Sequence, residues 1–152
     1  ALGRSLEEAL LKSWLSAQGN RLPRPGGIVL AYTPTGRGRG GLAEAARLFS
    51  ERGHPIVTIE EMGIDGYETV SVSEAVDLLK KGAVDLVLTT GYAPWVDYEV
   101  RRVAVDLNKP IVLDSRLAMR LAQAYAKVRD PLLLEALELR DYWLAMGVRK
   151  VF

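Results

Sequence analysis

The densest set of anion-binding groups lies in Thr33-Pro34-Thr35-Gly36-Arg37-Gly38-Arg39-Gly40-Gly41, a stretch that joins a predicted strand to a predicted helix. Its glycines let the backbone come close to a ligand, and the helix start offers free N–H groups with a partial positive charge. Arg37 and Arg39 add guanidinium donors suited to phosphate or carboxylate. The stretch is no phosphate loop, because no Gly-Lys-Ser/Thr follows Gly36 at the required distance. It does match G-x-G-x-x-G through Gly36, Gly38 and Gly41, but a dinucleotide site also needs an acidic residue ending the second strand. Glu60 and Glu61 are the nearest candidates. Thr89-Thr90-Gly91 ends a later strand at the same edge of the sheet. Its two hydroxyls and its amide could cup an oxyanion, or the threonines could simply satisfy local backbone. Thr35, Gly36, Arg37, Gly38, Arg39, Thr89, Thr90 and Gly91 are therefore the candidate anion ligands.

Other reactive side chains are sparse. The sole histidine, His54, lies between Gly53 and Pro55 at a helix-to-strand turn, and is expected in solvent. The chain has no cysteine and no second histidine, so thiolate chemistry, disulfides and a histidine-based metal site are all missing. Asp65, Asp97, Asp106 and Asp114 are scattered, and Asp97 and Asp114 read as helix N-caps. No catalytic constellation emerges.

The 152 residues suit one domain with room for a short appendage. A hydrophobic share of 49% with 26% charged residues is globular composition. A net charge of +1 lacks the basic field of a nucleic-acid binder. The longest apolar runs, such as Ile28–Tyr32, fall far short of the ~18 residues that span a bilayer. Without cysteines or a secretory stretch, the cytoplasm is the expected location.

The elements that must position the candidate loops alternate strand and helix. Predicted strands are Ile28–Thr33, Pro55–Ile59, Tyr67–Val70, Asp85–Thr90 and Pro110–Leu113. Predicted helices are Leu42–Arg52, Glu74–Lys81, Asp97–Leu107 and Ser115–Val128. Strands such as Val84–Leu88 are nearly continuously apolar, as strands covered on both faces must be. The pattern predicts an α/β fold, a three-layer sandwich around a mostly parallel five-stranded sheet, with additional N- and C-terminal helices. Ligands of such sheets collect beyond the strand carboxyl ends where strand order reverses, which makes three loops of interest: Pro34–Gly41 after the first strand, Gly91–Trp95 after the fourth and Asp114–Arg116 after the fifth. The N-terminal helix opens on a capping box, Ser5 with Glu8, and carries Leu6, Leu10, Trp14 and Leu15 on one stripe. A Pro/Gly-rich linker over residues 18–27 follows. A final helix is expected from Asp130-Pro131 to a stop at Gly147. A capped helix ahead of a linker, with no initiator Met, is expected of a piece of a longer polypeptide.

Residues 75–90, together with Tyr98–Asp106 and Lys109–Ile111, closely resemble the methylglyoxal-synthase-like domain. More narrowly, they resemble the version at the C-terminus of the carbamoyl-phosphate synthetase large subunit. Gly3–Lys12 independently resembles the helix that closes the preceding ATP-grasp half of that subunit. The resemblance implies that residues 1–17 belong to the end of an ATP-grasp domain, 18–27 to a linker and 28–152 to a regulatory domain. It implies a nucleotide effector, UMP or IMP, at the strand carboxyl ends, and in some members part of an ornithine site. The parent ligase makes carbamoyl phosphate for pyrimidine and arginine biosynthesis from bicarbonate, ATP and ammonia, with Mg or Mn. The ammonia comes from a glutaminase small subunit. The partners implied are that subunit and the rest of the large subunit, with no nucleic acid or membrane. No cofactor is implied in the domain itself.

The chain departs from the family pattern at several points. Of the family's phosphate loop after the second strand only Thr58 is close, and the helix that follows there is replaced by Met62–Gly66. Glu60 and Glu61 stand where the phosphate belongs, and would repel it. Leu88 replaces an Asn, and Ile111 and Leu113 replace ornithine-contacting polar residues. Arg116 and Arg120 are positioned to compensate if they reach the same cleft. Three functions follow: a regulatory domain, a structural or assembly module with a degenerate effector site, and a free-standing methylglyoxal synthase. The last needs an Asp base and a His near the fourth-strand loop, and Gly91–Trp95 supplies neither.

Overall fold

The computed structural model describes residues 1–91, 95–128, 130–145 and 147. Five strands form one sheet: β1 (Ile28–Tyr32), β2 (Ile56–Ile59), β3 (Glu68–Val70), β4 (Val84–Thr89) and β5 (Ile111–Val112). Their order is β3-β2-β1-β4-β5, and every neighbouring pair is parallel. Strand order reverses at β1, so the crevice between β1 and β4 is the switch point. The last pair there is Tyr32 opposite Thr89.

Both faces of the sheet are covered, making three layers. Val29, Ala31, Leu86 and Leu88 face one core, shared with α1 (Leu6–Ser16), α2 (Arg39–Glu51) and α5 (Ser115–Lys127). Their neighbours Leu30, Tyr32, Val84 and Val87 face the other, shared with α3 (Val72–Lys80) and α4 (Tyr98–Asp106). Residues alternate between the faces with period two except at the start of β4, where a register shift opposite Ile28/Val29 puts Val84 and Leu86 on opposite faces. The residues named are all apolar because neither face meets water.

Several boundaries differ from expectation. α2 starts at Arg39 rather than Leu42, so Arg39-Gly40-Gly41 is its first turn and not loop. α3 starts at Val72, behind a full capping box of Ser71 and Glu74. Residues 60–67 join β2 to β3 with no helix, where a parallel crossover usually takes a dozen residues or more. Met62 and Ile64 from this short connection are buried, one in each core.

α1 docks locally. Leu11 is fully buried and Trp14 nearly so, whereas Leu6 and Leu15 of the expected stripe are exposed. The Pro/Gly-rich stretch is an ordered strap: Pro23 is buried, and Trp14 Nε1 donates to the Arg21 carbonyl at 3.1 Å. Arg24 grips Asp85 through its backbone N–H at 2.9 Å and through Nε and Nη2 at 3.0 and 2.8 Å. Burial by itself would raise the Asp85 carboxyl, but these donors outweigh it and hold the group below the ordinary carboxylate range.

The expected final helix is broken. Pro131–Leu133 is a 3-10 turn, residues 134–138 are not helical, and α6 runs only from Leu139 to Ala145. Tertiary contacts override propensity here. Leu134 packs against the α1/α2/α5 core, and the Glu135 carbonyl accepts from Lys12 Nζ at 2.6 Å instead of from a helical N–H. Gly147 is left-handed, φ 70°, and donates to the Leu144 carbonyl, which suits a helix stop.

His54 is buried and not in solvent, with 4% of its surface exposed. The left-handed Gly53, φ 89°, turns the chain so that the imidazole tucks under α5. There Nε2 lies 2.9 Å from the Tyr125 hydroxyl and Nδ1 3.3 Å from the Gly27 carbonyl.

Candidate functional site

The carboxyl ends of β1 and β4 meet in a pair of hydroxyls. Thr33 Oγ1 and Thr90 Oγ1 are 2.8 Å apart, and Thr33 Oγ1 also donates to the Arg37 carbonyl at 2.9 Å. This ties the loop after β1 to the strand end across the switch point. Above them opens a shallow recess of about 240 Å³, lined by Thr35, Arg37, Gly38, Thr90, Gly91 and the turn Leu113–Ser115.

Gly38 is the N-cap of α2 at φ 69°, and as a glycine it has no side chain to cap the helix. A β-carbon there would sit 2.4 Å from Ser115 Oγ and 2.9 Å from a Thr90 methyl, so only glycine fits. No side chain caps the first N–H groups of α2, and the positive end of its dipole begins at Gly38, which lines the recess. Arg37 adds a guanidinium. Asp114 opposes it, although Asp114 Oδ1 is committed to capping α5 by accepting from Leu117 N at 2.8 Å. With Leu113 as an apolar wall and one cation against one anion, the recess is suited to weak binding of a phosphate-bearing molecule.

The other candidate ligands are placed elsewhere. Gly36 sits in the turn between Thr35 and Arg37 at φ 72° and does not itself line the recess. Arg39 reaches away, donating to the Gly63 carbonyl. It lines a separate, more polar depression with Glu61, Asp65, Tyr67 and Thr69. Glu61 thus stands beside Arg39 and not inside the recess, and Glu60 lines neither depression. Thr58 is fully buried, its hydroxyl accepting from Ile64 N at 2.9 Å within the β2–β3 connection. Thr89 is fully buried too and lies behind the recess. Arg116 and Arg120 face α1 instead. Tyr92, Ala93 and Pro94 of the fourth-strand loop lie outside the described residues. Among the described residues no group of three His, Cys, Asp or Glu side chains is placed to hold a metal, and no helix is long and apolar enough to cross a membrane.

A buried polar cluster that sequence reasoning missed lies directly behind the recess. Tyr32 donates its hydroxyl to Asp97 Oδ2 at 2.9 Å, and Arg101 Nε donates to the same oxygen at 3.0 Å. Asp97 stands at the N-cap position of α4 as expected, but its side chain makes no cap hydrogen bond. It is buried among these partners, and its Oδ1 accepts no hydrogen bond from the described residues. Thr89 Oγ1 likewise makes none of good geometry, although it lies near enough to the Tyr32 hydroxyl to influence it. Burial, reinforced by the Asp97 charge, pushes the Tyr32 phenol well above its ordinary value. The Asp97–Arg101 spacing of four on a predicted helix was the available signal.

Comparison with known proteins bears on the whole chain. The chain is 57% identical over 143 residues to the carbamoyl phosphate synthase large chain of Hyperthermus butylicus. It is 41% identical over 145 residues to that of Pyrococcus furiosus and 45% over 128 residues to that of Sulfolobus acidocaldarius. This chain is homologous to part of the carbamoyl phosphate synthase large chain. The matches cover 94%, 95% and 82% of these 152 residues, but only 13%, 13% and 12% of the large chains. No protein-family model matches the chain. A match over 143 of the 152 residues leaves at most nine outside it, so at least Leu10–Ser16 of α1 lie within the large-chain similarity.

Proposed function

We propose that the chain is a regulatory, effector-binding domain of the carbamoyl phosphate synthase large chain, with its effector phosphate held at the β1/β4 recess. The observation that carries this reading is Arg37 beside the uncapped start of α2 at the switch point, where the Thr33–Thr90 hydroxyl pair ties the two loops together. On this reading carbamoyl phosphate is made elsewhere in the large chain, from ammonia supplied by a glutaminase subunit, and this domain adjusts that activity. UMP and IMP are the effectors the family resemblance suggests. Leu113 and Ile111 give ornithine no polar partner, so its desolvation goes uncompensated.

The test is calorimetric titration of the large chain with UMP, IMP and ornithine, for the parent sequence and for Arg37→Ala. Weak nucleotide binding that Arg37→Ala weakens by about tenfold or more, with no ornithine signal at millimolar concentration, supports the proposal. Nucleotide binding unaffected by Arg37→Ala would place the phosphate elsewhere. No nucleotide binding at all would leave the domain an assembly role.

A further inference from the structure

α1 and α5 pack together, but part of their shared surface is left open. Leu11 and Trp14 enter the core, whereas Leu6 remains 69% exposed and Leu117, across the gap on α5, 39% exposed. With Leu10 as part of the floor, they line a groove of about 270 Å³. Its rim carries Arg116 and Arg120, one turn apart on α5. Neither arginine enters an ion pair among the described residues, and Arg120 donates to the neutral Gln123 at 3.2 Å. Glu7, the acidic residue at the groove, is already paired with Lys127 at 3.0 Å. The groove therefore joins an apolar floor to two uncompensated guanidinium groups. Its complement is a helix presenting leucine-sized side chains with carboxylates one turn apart.

We infer that this groove docks an acidic amphipathic helix of the large chain, from outside these 152 residues. Two observations choose that occupant over a second copy. The homologous large chains extend far beyond this region, which is 12–13% of their length, and within a chain of that length a covalently tethered partner would act at high effective concentration. The groove is also small, whereas a stable dimer buries about 800 Å² on each partner. A tethered helix needs far less area to stay seated. This inference does not require effector binding at the β1/β4 recess.

The experiment places a photo-reactive benzoylphenylalanine at position 117 of the full large chain, mixed from isotopically light and heavy preparations. The expected product is a light–light or heavy–heavy cross-link to an acidic, leucine-bearing segment of the same chain. Arg116→Glu combined with Arg120→Glu should lower its yield at least fivefold, and Arg116→Gln with Arg120→Gln should lower it less. Mixed light–heavy cross-links, cross-links to a separate subunit, or no cross-link would each overturn the inference. A cross-linked segment without carboxylates would also overturn it. The parent cross-link is read without the charge-reversed variant, so misfolding of that variant does not protect the inference.

Discussion

The Tyr32 hydroxyl points from the end of β1 into the carboxylate of Asp97, 2.9 Å away, and so ties the central strand to the start of α4. The neighbours of this buried bond along the chain are the two hydroxyls beneath the recess. Thr33 follows Tyr32, and Thr90 follows Thr89, the β4 residue paired with Tyr32.

Removing the Tyr32 hydroxyl by Tyr32→Phe leaves a buried carboxylate with Arg101 as its remaining side-chain donor among the described residues. The expected loss is about 1–3 kcal/mol, read as a lower urea midpoint with an unchanged m-value. An unchanged midpoint would show that the bond contributes nothing. Because the fold raises the phenol, its contribution is complete below the unfolded value of 10.0 and is lost as pH rises through the higher folded value. Tyr32→Phe should therefore be less sensitive to alkali than the parent.

The two loop arginines separate cleanly. Arg37→Ala should weaken nucleotide phosphate binding by about tenfold to a hundredfold, as expected for one charge-assisted hydrogen bond. Arg39→Ala should change it by less than about twofold, because Arg39 is turned toward Gly63. Calorimetry showing the reverse order would reassign the phosphate to the Arg39 depression.

His54 predicts an acid-side instability. Burial pushes the imidazole below its ordinary value, so the fold favours the neutral form. Its contribution is complete above the unfolded value of 6.5 and is lost as pH falls through the lower folded value. The parent midpoint should fall between pH 7.5 and pH 5, and His54→Gln should flatten that slope while keeping a partner for Tyr125. A steeper acid slope in the variant would contradict this.

The burial register of α1 can be tested by two leucines. Leu11→Ala should cost about 2–5 kcal/mol, as for a fully buried leucine. Leu15→Ala, at a position 39% exposed, should cost under about 1 kcal/mol. Equal losses measured by denaturant unfolding would mean that α1 is rotated from this placement.

The layered fold was legible because doubly covered strands announce themselves as apolar runs, and Val84–Leu88 needed no partner to be read. The recess was half legible. Topology alone brings the loops after β1 and β4 together, but side-chain direction within them depends on register and on distant neighbours. Arg39 turns away because α2 begins three residues before the glycines suggested, and Thr58 is consumed by Ile64 in a connection shorter than usual. His54 was misjudged because its partner Tyr125 lies 71 residues away, beyond the reach of local pattern. The final helix failed for the same reason, as Lys12 takes the Glu135 carbonyl from 123 residues upstream.

The packing of α1 on α5 also sets a timetable. Leu11 and Trp14 are translated roughly a hundred residues before the helix that covers them, an interval on the order of 5–20 s on the ribosome. Throughout it the first apolar stripe has no permanent cover, and the strap cannot tighten until Asp85 has emerged to meet Arg24. Assembly of this layer therefore cannot precede α5, so a chain stalled before Ser115 would present an uncovered tryptophan and leucine to any chaperone or protease waiting at the tunnel exit.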